Sequence, residues 1–170
     1  MLTLITGGAR SGKSRFAQSL CREAGRVVYV ATAVAADEEM CTRIARHRLP
    51  RPPSWMTIEE PIDLPEAARR QVEETDALLF DCITLWISNL LYQWRDEIQS
   101  KVERNAAHCA ARLIEASTRG NIIGETNEVG SGIVPESTVA RNFRDLQGLV
   151  NQQLASAAET VYVVVSGIPI

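Results

Sequence analysis

Apolar positions along this chain fall into two patterns: short unbroken runs, and longer stretches in which they recur every three or four residues. Leu2–Thr6, Ala77–Asp81 and Thr160–Val165 are β-branched and apolar almost throughout, as are residues 26–31 and 121–125. Runs of this kind read as strands covered on both faces. Residues 55–59 make a shorter, more polar candidate strand. Between them the period changes. Residues 14–24 place Phe16, Ala17, Leu20 and Cys21 on one helical face, and residues 63–73 do the same with Leu64, Ala67, Ala68 and Val72. Residues 37–48 open with Asp37, Glu38 and Glu39, the charge that a helix N-terminus favours, and Pro50, Pro52 and Pro53 close the segment. Residues 83–118 predict two helices breaking near Trp94 to Asp96, and residues 137–159 predict one more.

Strands alternating with helices imply a largely parallel sheet with helices on both faces. The expectation is one α/β domain spanning residues 1–170, since this length fills a single core and leaves room only for small additions. Composition does little to change the picture. The 45% hydrophobic and 23% charged content is that of an ordinary globular protein, and the net charge of -3 gives no reason to expect nucleic acid as a partner. Cys21, Cys41, Cys82 and Cys109 are scattered without a C-x-x-C pair, which suggests neither zinc nor a disulfide framework and fits a reducing, cytoplasmic setting. With the first strand at Leu2 no leader peptide is expected, and no apolar run is long enough for a membrane span.

Candidate chemistry begins between the first strand and the first helix. Gly7-Gly8-Ala9-Arg10-Ser11-Gly12-Lys13-Ser14 has the form GxxxxGK[ST]. Such a loop surrounds phosphates with backbone N–H groups, Lys13 reaches the outer phosphates, and the Ser14 hydroxyl ligates Mg²⁺. The fold class expected is therefore a P-loop NTPase of the RecA-like kind, with ATP or GTP as ligand. Asp81, a carboxylate ending an apolar strand, either holds Mg²⁺ opposite Ser14 or caps the helix that follows; the P-loop favours the metal.

His47 shares a helical face with Met40 and Ile44, which suits a packing stripe. It also stands among Arg43, Arg46, Arg48 and Arg51, which favour a bound anion and a neutral, nucleophilic imidazole. His108 has no such company and reads as structural. Glu59 and Glu60 either hydrogen-bond a ribose or base or form a solvated turn. Residues 126–135 form a polar, glycine-rich loop of the kind that meets ligands at the C-terminal edge of a parallel sheet. Arg141 and Arg144 either face a transferring phosphoryl group or solvent. No Asn-Lys-x-Asp guanine motif is present.

Taken together, these blocks resemble a known family. They are the P-loop, Asp37-x-Glu39-Met40 with Arg43-Ile44-x-x-His47-Arg48, Arg51-Pro52, and Trp55-x-Thr57-x-Glu59. Further along come Phe80-Asp81-Cys82-Ile83-Thr84-Leu85-Trp86, Thr126-Asn127-Glu128-Val129-Gly130-x-Gly132-Ile133-Val134-Pro135, Phe143-Arg144-Asp145, Asn151-Gln152 and Val165-Ser166-Gly167. The chain is similar over its whole length to the bifunctional adenosylcobinamide kinase and adenosylcobinamide-phosphate guanylyltransferase of cobalamin biosynthesis. The resemblance implies phosphorylation of adenosylcobinamide by ATP or GTP, then transfer of GMP from GTP to adenosylcobinamide phosphate through a GMP-histidine at His47. It places nucleotide contacts at Gly7 to Ser14, at Ala31, Thr32 and Ala33, at Arg48, Leu49, Pro50 and Arg51, and at Glu59 and Asp81. It also implies a homotrimer with sites between subunits. The chain departs from the family in two places. Gly124 and Glu125 stand where a central strand should be apolar, and Arg46 stands where some relatives have a second histidine. A plain small-molecule kinase, and a nucleotide-gated binding protein without transfer, are the other readings.

Overall fold

The structure, a computed structural model, describes residues 1–35, 37–48 and 51–170, and their side chains apart from those of Arg43, Arg46 and His47. Its elements follow in the order β1 (Leu2–Thr6), α1 (Lys13–Leu20), β2 (Val27–Ala31), α2 (Glu38–Arg48), β3 (Met56–Glu59), α3 (Leu64–Gln71) and β4 (Ala77–Asp81). Then come α4 (Ile83–Gln93), α5 (Gln99–Ser117), β5 (Ile122–Glu125), α6 (Thr138–Ala157), β6 (Thr160–Val165) and β7 (Ile168–Pro169). The strands form one sheet in the order β3-β2-β4-β5-β1-β6-β7. All neighbouring pairs are parallel except the β6–β7 hairpin. Among the described residues no helix is long and apolar enough to cross a membrane.

The unbroken apolar runs of β1, β2, β4 and β5 arise because both sheet faces are covered there. Alternate residues point to opposite sides, so Leu2, Leu4, Val28, Val30, Leu78, Phe80 and Ile122 pack with buried residues of α3 to α6 in the larger core. Ile5, Val27, Tyr29, Leu79, Ile123 and Val164 pack on the other side with Ala17 of α1. Trp86, fully buried, joins the larger core and donates its indole N–H to the Ile62 carbonyl at 2.7 Å.

Helix ends follow local chemistry. Asp37 Oδ1 accepts from the Met40 amide at 2.7 Å, so it caps α2 from outside. Asp63 caps α3 by accepting from the Glu66 amide at 3.2 Å. The break between α4 and α5 spans residues 94–98. Four expectations change. The last long strand, β6, is not buried on both faces as its apolar run implies, because among the described residues no helix covers the side that carries Val161, Val163 and Val165. The first helix is shorter than 14–24, because the chain leaves it through tight turns at residues 21–23. The C-terminal hairpin, absent from the hydrophobic pattern, turns through Ser166 (φ 51°) and Gly167 (φ 86°), both left-handed as a two-residue type I′ loop requires. Gly124 suits its central strand, since a Cβ there would lie 2.7 Å from Ile83 Cδ1.

Candidate active site

The glycine-rich segment sits as its sequence implies, between β1 and the N-terminus of α1. Two of its glycines answer close approaches. A Cβ on Gly7 would lie 2.5 Å from the Val164 carbonyl oxygen, and Gly12 has φ 97° with Gly167 Cα 3.0 Å from where its Cβ would stand. The Gly167 amide donates to the Ser11 carbonyl at 2.7 Å, so the β6–β7 hairpin braces the loop from behind. Lys13 folds back over the loop, donating to the Gly8 carbonyl at 3.2 Å, and is 7% exposed.

The Ser14 hydroxyl donates to Glu125 Oε1 at 2.9 Å, and Lys13 Nζ lies 3.8 Å from the same oxygen. Glu125 is therefore a residue of this site. Its strand, β5, lies between β1 and β4, and it pairs in register with Asp81 of β4. Two carboxylates thus end adjacent parallel strands beside the P-loop. The sequence paired Ser14 with Asp81, whereas the structure joins Ser14 to Glu125 and gives Asp81 the Tyr29 hydroxyl as donor. Glu125 carried the same signal as Asp81, a carboxylate closing an apolar run.

Tyr29 is buried, and its ionisation is pushed up, first by that burial and then by the Asp81 charge. It therefore stays a neutral donor. The Arg51 guanidinium lies 3.4 Å from the centre of the Tyr29 ring, and its Nε and Nη1 are buried without hydrogen-bond partners. Arg48 pairs with Glu59 at the exposed rim.

These groups line one cleft of ≈ 1040 Å³ at the C-terminal edge of the sheet. One wall is the P-loop from Ala9 to Ser14. Another is α2, through Glu39, Met40, Cys41, Thr42, Ile44, Ala45 and Arg48; Ala31, Ala33, Arg51, Glu59, Asp81 and Glu125 lie between. A shallower depression of ≈ 460 Å³ continues along Arg48, Arg51, Pro52, Pro53, Trp55, Thr57 and Glu59. His47 lies on α2, one residue before Arg48; its side chain is outside the description, and Leu49 and Pro50 are outside the described residues.

Thr32 is fully buried, and its hydroxyl clasps the turn after β4, donating to the Cys82 carbonyl at 2.8 Å and accepting from the Cys82 amide at 2.9 Å. Glu60 caps a turn by accepting from the Ile62 and Asp63 amides. Of the acidic pair only Glu59 reaches the cleft. Arg141 is held by the Pro135 and Glu136 carbonyls and Arg144 by Asp145, and neither lines the cleft. His108 is exposed on α5, away from it.

The loop after β5 is fixed at its base. The Asn127 amide donates to Thr84 Oγ1 at 2.7 Å, and the Asn127 carbonyl accepts from Asn151 Nδ2 at 3.0 Å. Gln147 and Asn151 of α6 also meet the Thr126 hydroxyl, at 2.9 and 2.7 Å. Asn127 lines the cleft.

Among the described residues no three His, Cys, Asp or Glu side chains form a metal cage. A hydroxyl and two strand-end carboxylates are instead the hard oxygen donors that Mg²⁺ takes in small number, alongside water and substrate phosphates.

Comparison with known proteins gives concordant results. The family model described as cobinamide kinase / cobinamide phosphate guanyltransferase matches residues 3–170. The chain is 43% identical over 176 aligned positions to the bifunctional adenosylcobalamin biosynthesis protein CobU of Escherichia coli, covering 99% of this chain and 97% of that protein. It is 44% identical over 171 positions to the bifunctional adenosylcobalamin biosynthesis protein CobP of Pseudomonas aeruginosa, covering 99% and 95%. Among solved structures, an ATPase from a bacterial type III secretion system superposes with a TM-score of 0.59 at 14% identity, over 95% of this chain and 50% of that one. At that identity the likeness is one of fold.

Proposed function

The chain belongs to the cobinamide kinase / cobinamide phosphate guanyltransferase family, and from that premise we propose that it carries out both reactions in its single domain. The observation that carries the proposal is the shared cleft: the triphosphate loop forms one wall and α2, the helix bearing His47, forms another. In the first reaction the aminopropanol hydroxyl of adenosylcobinamide bonds to the γ-phosphorus of ATP or GTP. The bridging β–γ P–O bond breaks, the hydroxyl proton is released, and the nucleoside diphosphate departs. Gly7 to Ser14 hold the triphosphate, and Lys13 neutralises charge on the phosphoryl group in transit. Ser14 and Asp81 would hold Mg²⁺, with Glu125 beside them. When bound, the ion offsets phosphate charge and polarises the phosphoryl oxygens.

In the second reaction an imidazole nitrogen of His47 bonds to the α-phosphorus of GTP as pyrophosphate leaves. The phosphate of adenosylcobinamide phosphate then displaces the imidazole, which gives adenosyl-GDP-cobinamide. Arg48 and Arg51 supply the positive charge that this step needs. The unpartnered buried N–H groups of Arg51 gain a partner when an anion arrives. Ala31 and Ala33 leave room for the nucleotide, Glu59 offers an acceptor to ribose or base, and Thr32 holds the strand end that carries Asp81.

A homotrimer with sites between subunits is part of the proposal, supported by the exposed Val161, Val163 and Val165 on one face of β6. So is a cytoplasmic location, which fits four free cysteines. The test is incubation with α-labelled GTP. Acid-labile label is expected on the wild-type protein and absent from His47→Ala. Equal labelling of the variant would sink the histidine intermediate. Phosphorylation of adenosylcobinamide with no pyrophosphate release from GTP would leave only the kinase.

A further inference from the structure

Glu125 is 4% exposed, accepts the Ser14 hydroxyl at 2.9 Å, lies 3.8 Å from Lys13 Nζ and stands in register beside Asp81. A hydroxyl has one proton to donate and two lone pairs to offer. With that proton directed to Glu125, Ser14 presents only lone pairs to the cleft, as a cation ligand must. The carboxylate has a second effect. Two neighbouring strand ends place negative charge where a triphosphate binds, and a group this buried is weakly screened. The Lys13 ammonium, 3.8 Å from Glu125, offsets one of the two charges; the other opposes metal-free nucleotide, and a divalent cation reverses the sign.

We infer that Glu125 is a positioning residue that makes triphosphate binding conditional on a divalent cation, by taking the Ser14 proton and by opposing the metal-free nucleotide. The inference rests on the P-loop as the triphosphate site and not on which group is afterwards transferred.

Titration calorimetry of the full chain with ATP, once with Mg²⁺ and once with EDTA, tests it without turnover. Glu125→Gln keeps the shape and removes the charge. It is expected to bind metal-free ATP more tightly and Mg²⁺-ATP more weakly, so that the ratio of the two affinities falls about tenfold or more. Glu125→Asp keeps the charge and withdraws it from Ser14 by one methylene. Its metal-free affinity should match wild type while its Mg²⁺-ATP affinity falls. If Glu125→Gln weakens ATP equally in both buffers, or if Glu125→Asp tightens metal-free binding as Gln does, the inference is overturned. A wild-type chain that binds ATP in neither buffer would overturn the nucleotide reading itself, which is a distinguishable result.

Discussion

Tyr29 connects the two halves of the cleft through opposite parts of one side chain: its hydroxyl donates to Asp81 and its ring carries the Arg51 guanidinium. Nothing in the sequence separates it from the core residues around it, because a tyrosine in an apolar strand satisfies the pattern whatever its hydroxyl does. Only the sheet, which lays β2 beside β4, brings the phenol to the carboxylate. Tyr29→Phe keeps the stacked ring and removes the donor. Its expected effect is a fall of about ten- to a hundredfold in kcat of the kinase step, from the loss of one hydrogen bond to a charged group worth about 1.5–3 kcal/mol, with KM for GTP in guanylyl transfer little changed. Steady-state kinetics on both half-reactions check this, and equal losses in both would make Tyr29 a packing residue only. Glu125 was legible in part. Its position at the end of an apolar run was visible, yet a buried carboxylate looks like a local fault until Ser14 and Lys13, more than a hundred residues earlier, are seen against it.

At the scale of elements, hydrophobic period fixes where a segment lies more firmly than where it ends. Strand Ala77–Asp81 matches its apolar run because it is buried between layers, where composition and position agree, whereas Thr160–Val165 has the same kind of run with only one face covered. Hairpin strand β7 escaped because two residues have no period; it exists through long-range pairing with β6. Helix α3 shows how local charge shapes an element. Glu66, in its first turn, bonds Arg69 at 2.7 Å and Arg70 at 2.8 Å, and these two arginines hold its carboxyl at about 2, below the ordinary 4.5. A carboxylate depressed on folding adds stability that is fully present above 4.5 and is lost as pH falls from there towards 2. Carboxyl-carbon NMR should find the Glu66 midpoint near 2, and Glu66→Gln should flatten the acid limb of the stability curve in that window. A midpoint near 4.5 would show that the paired geometry does not persist in solution.

For the whole molecule, the sheet leaves one surface uncovered. Val161, Val163 and Val165 share a face of β6 and are 40%, 43% and 52% exposed, while Val164, on the opposite face, is fully buried in the α1-side core. Ile168 and Ile170 extend the apolar surface along the hairpin. A continuous patch of this kind marks an interaction surface, and the proposed trimer supplies an occupant. Light scattering should give the mass of three chains for wild type and of one chain for a Val163→Asp, Val165→Asp double variant. A monomeric wild type would refute the trimer. The same hairpin braces the P-loop through Gly167 and Ser11, so the apolar patch and the phosphate loop meet in one short segment.

The sequence by itself determined the triphosphate loop, the alternating layers of strand and helix, and the family, because each depends on residues close together in the chain or on blocks matched in order. Tertiary structure decided which carboxylate takes the Ser14 proton, which tyrosine serves Asp81, and that α2 and the P-loop line one cleft. The physical reason is that hydrogen bonds and charge act over a few ångströms of space. Strand order sets which distant residues fall within that reach, and here placing β5 between β1 and β4 put Glu125 beside both the loop and Asp81.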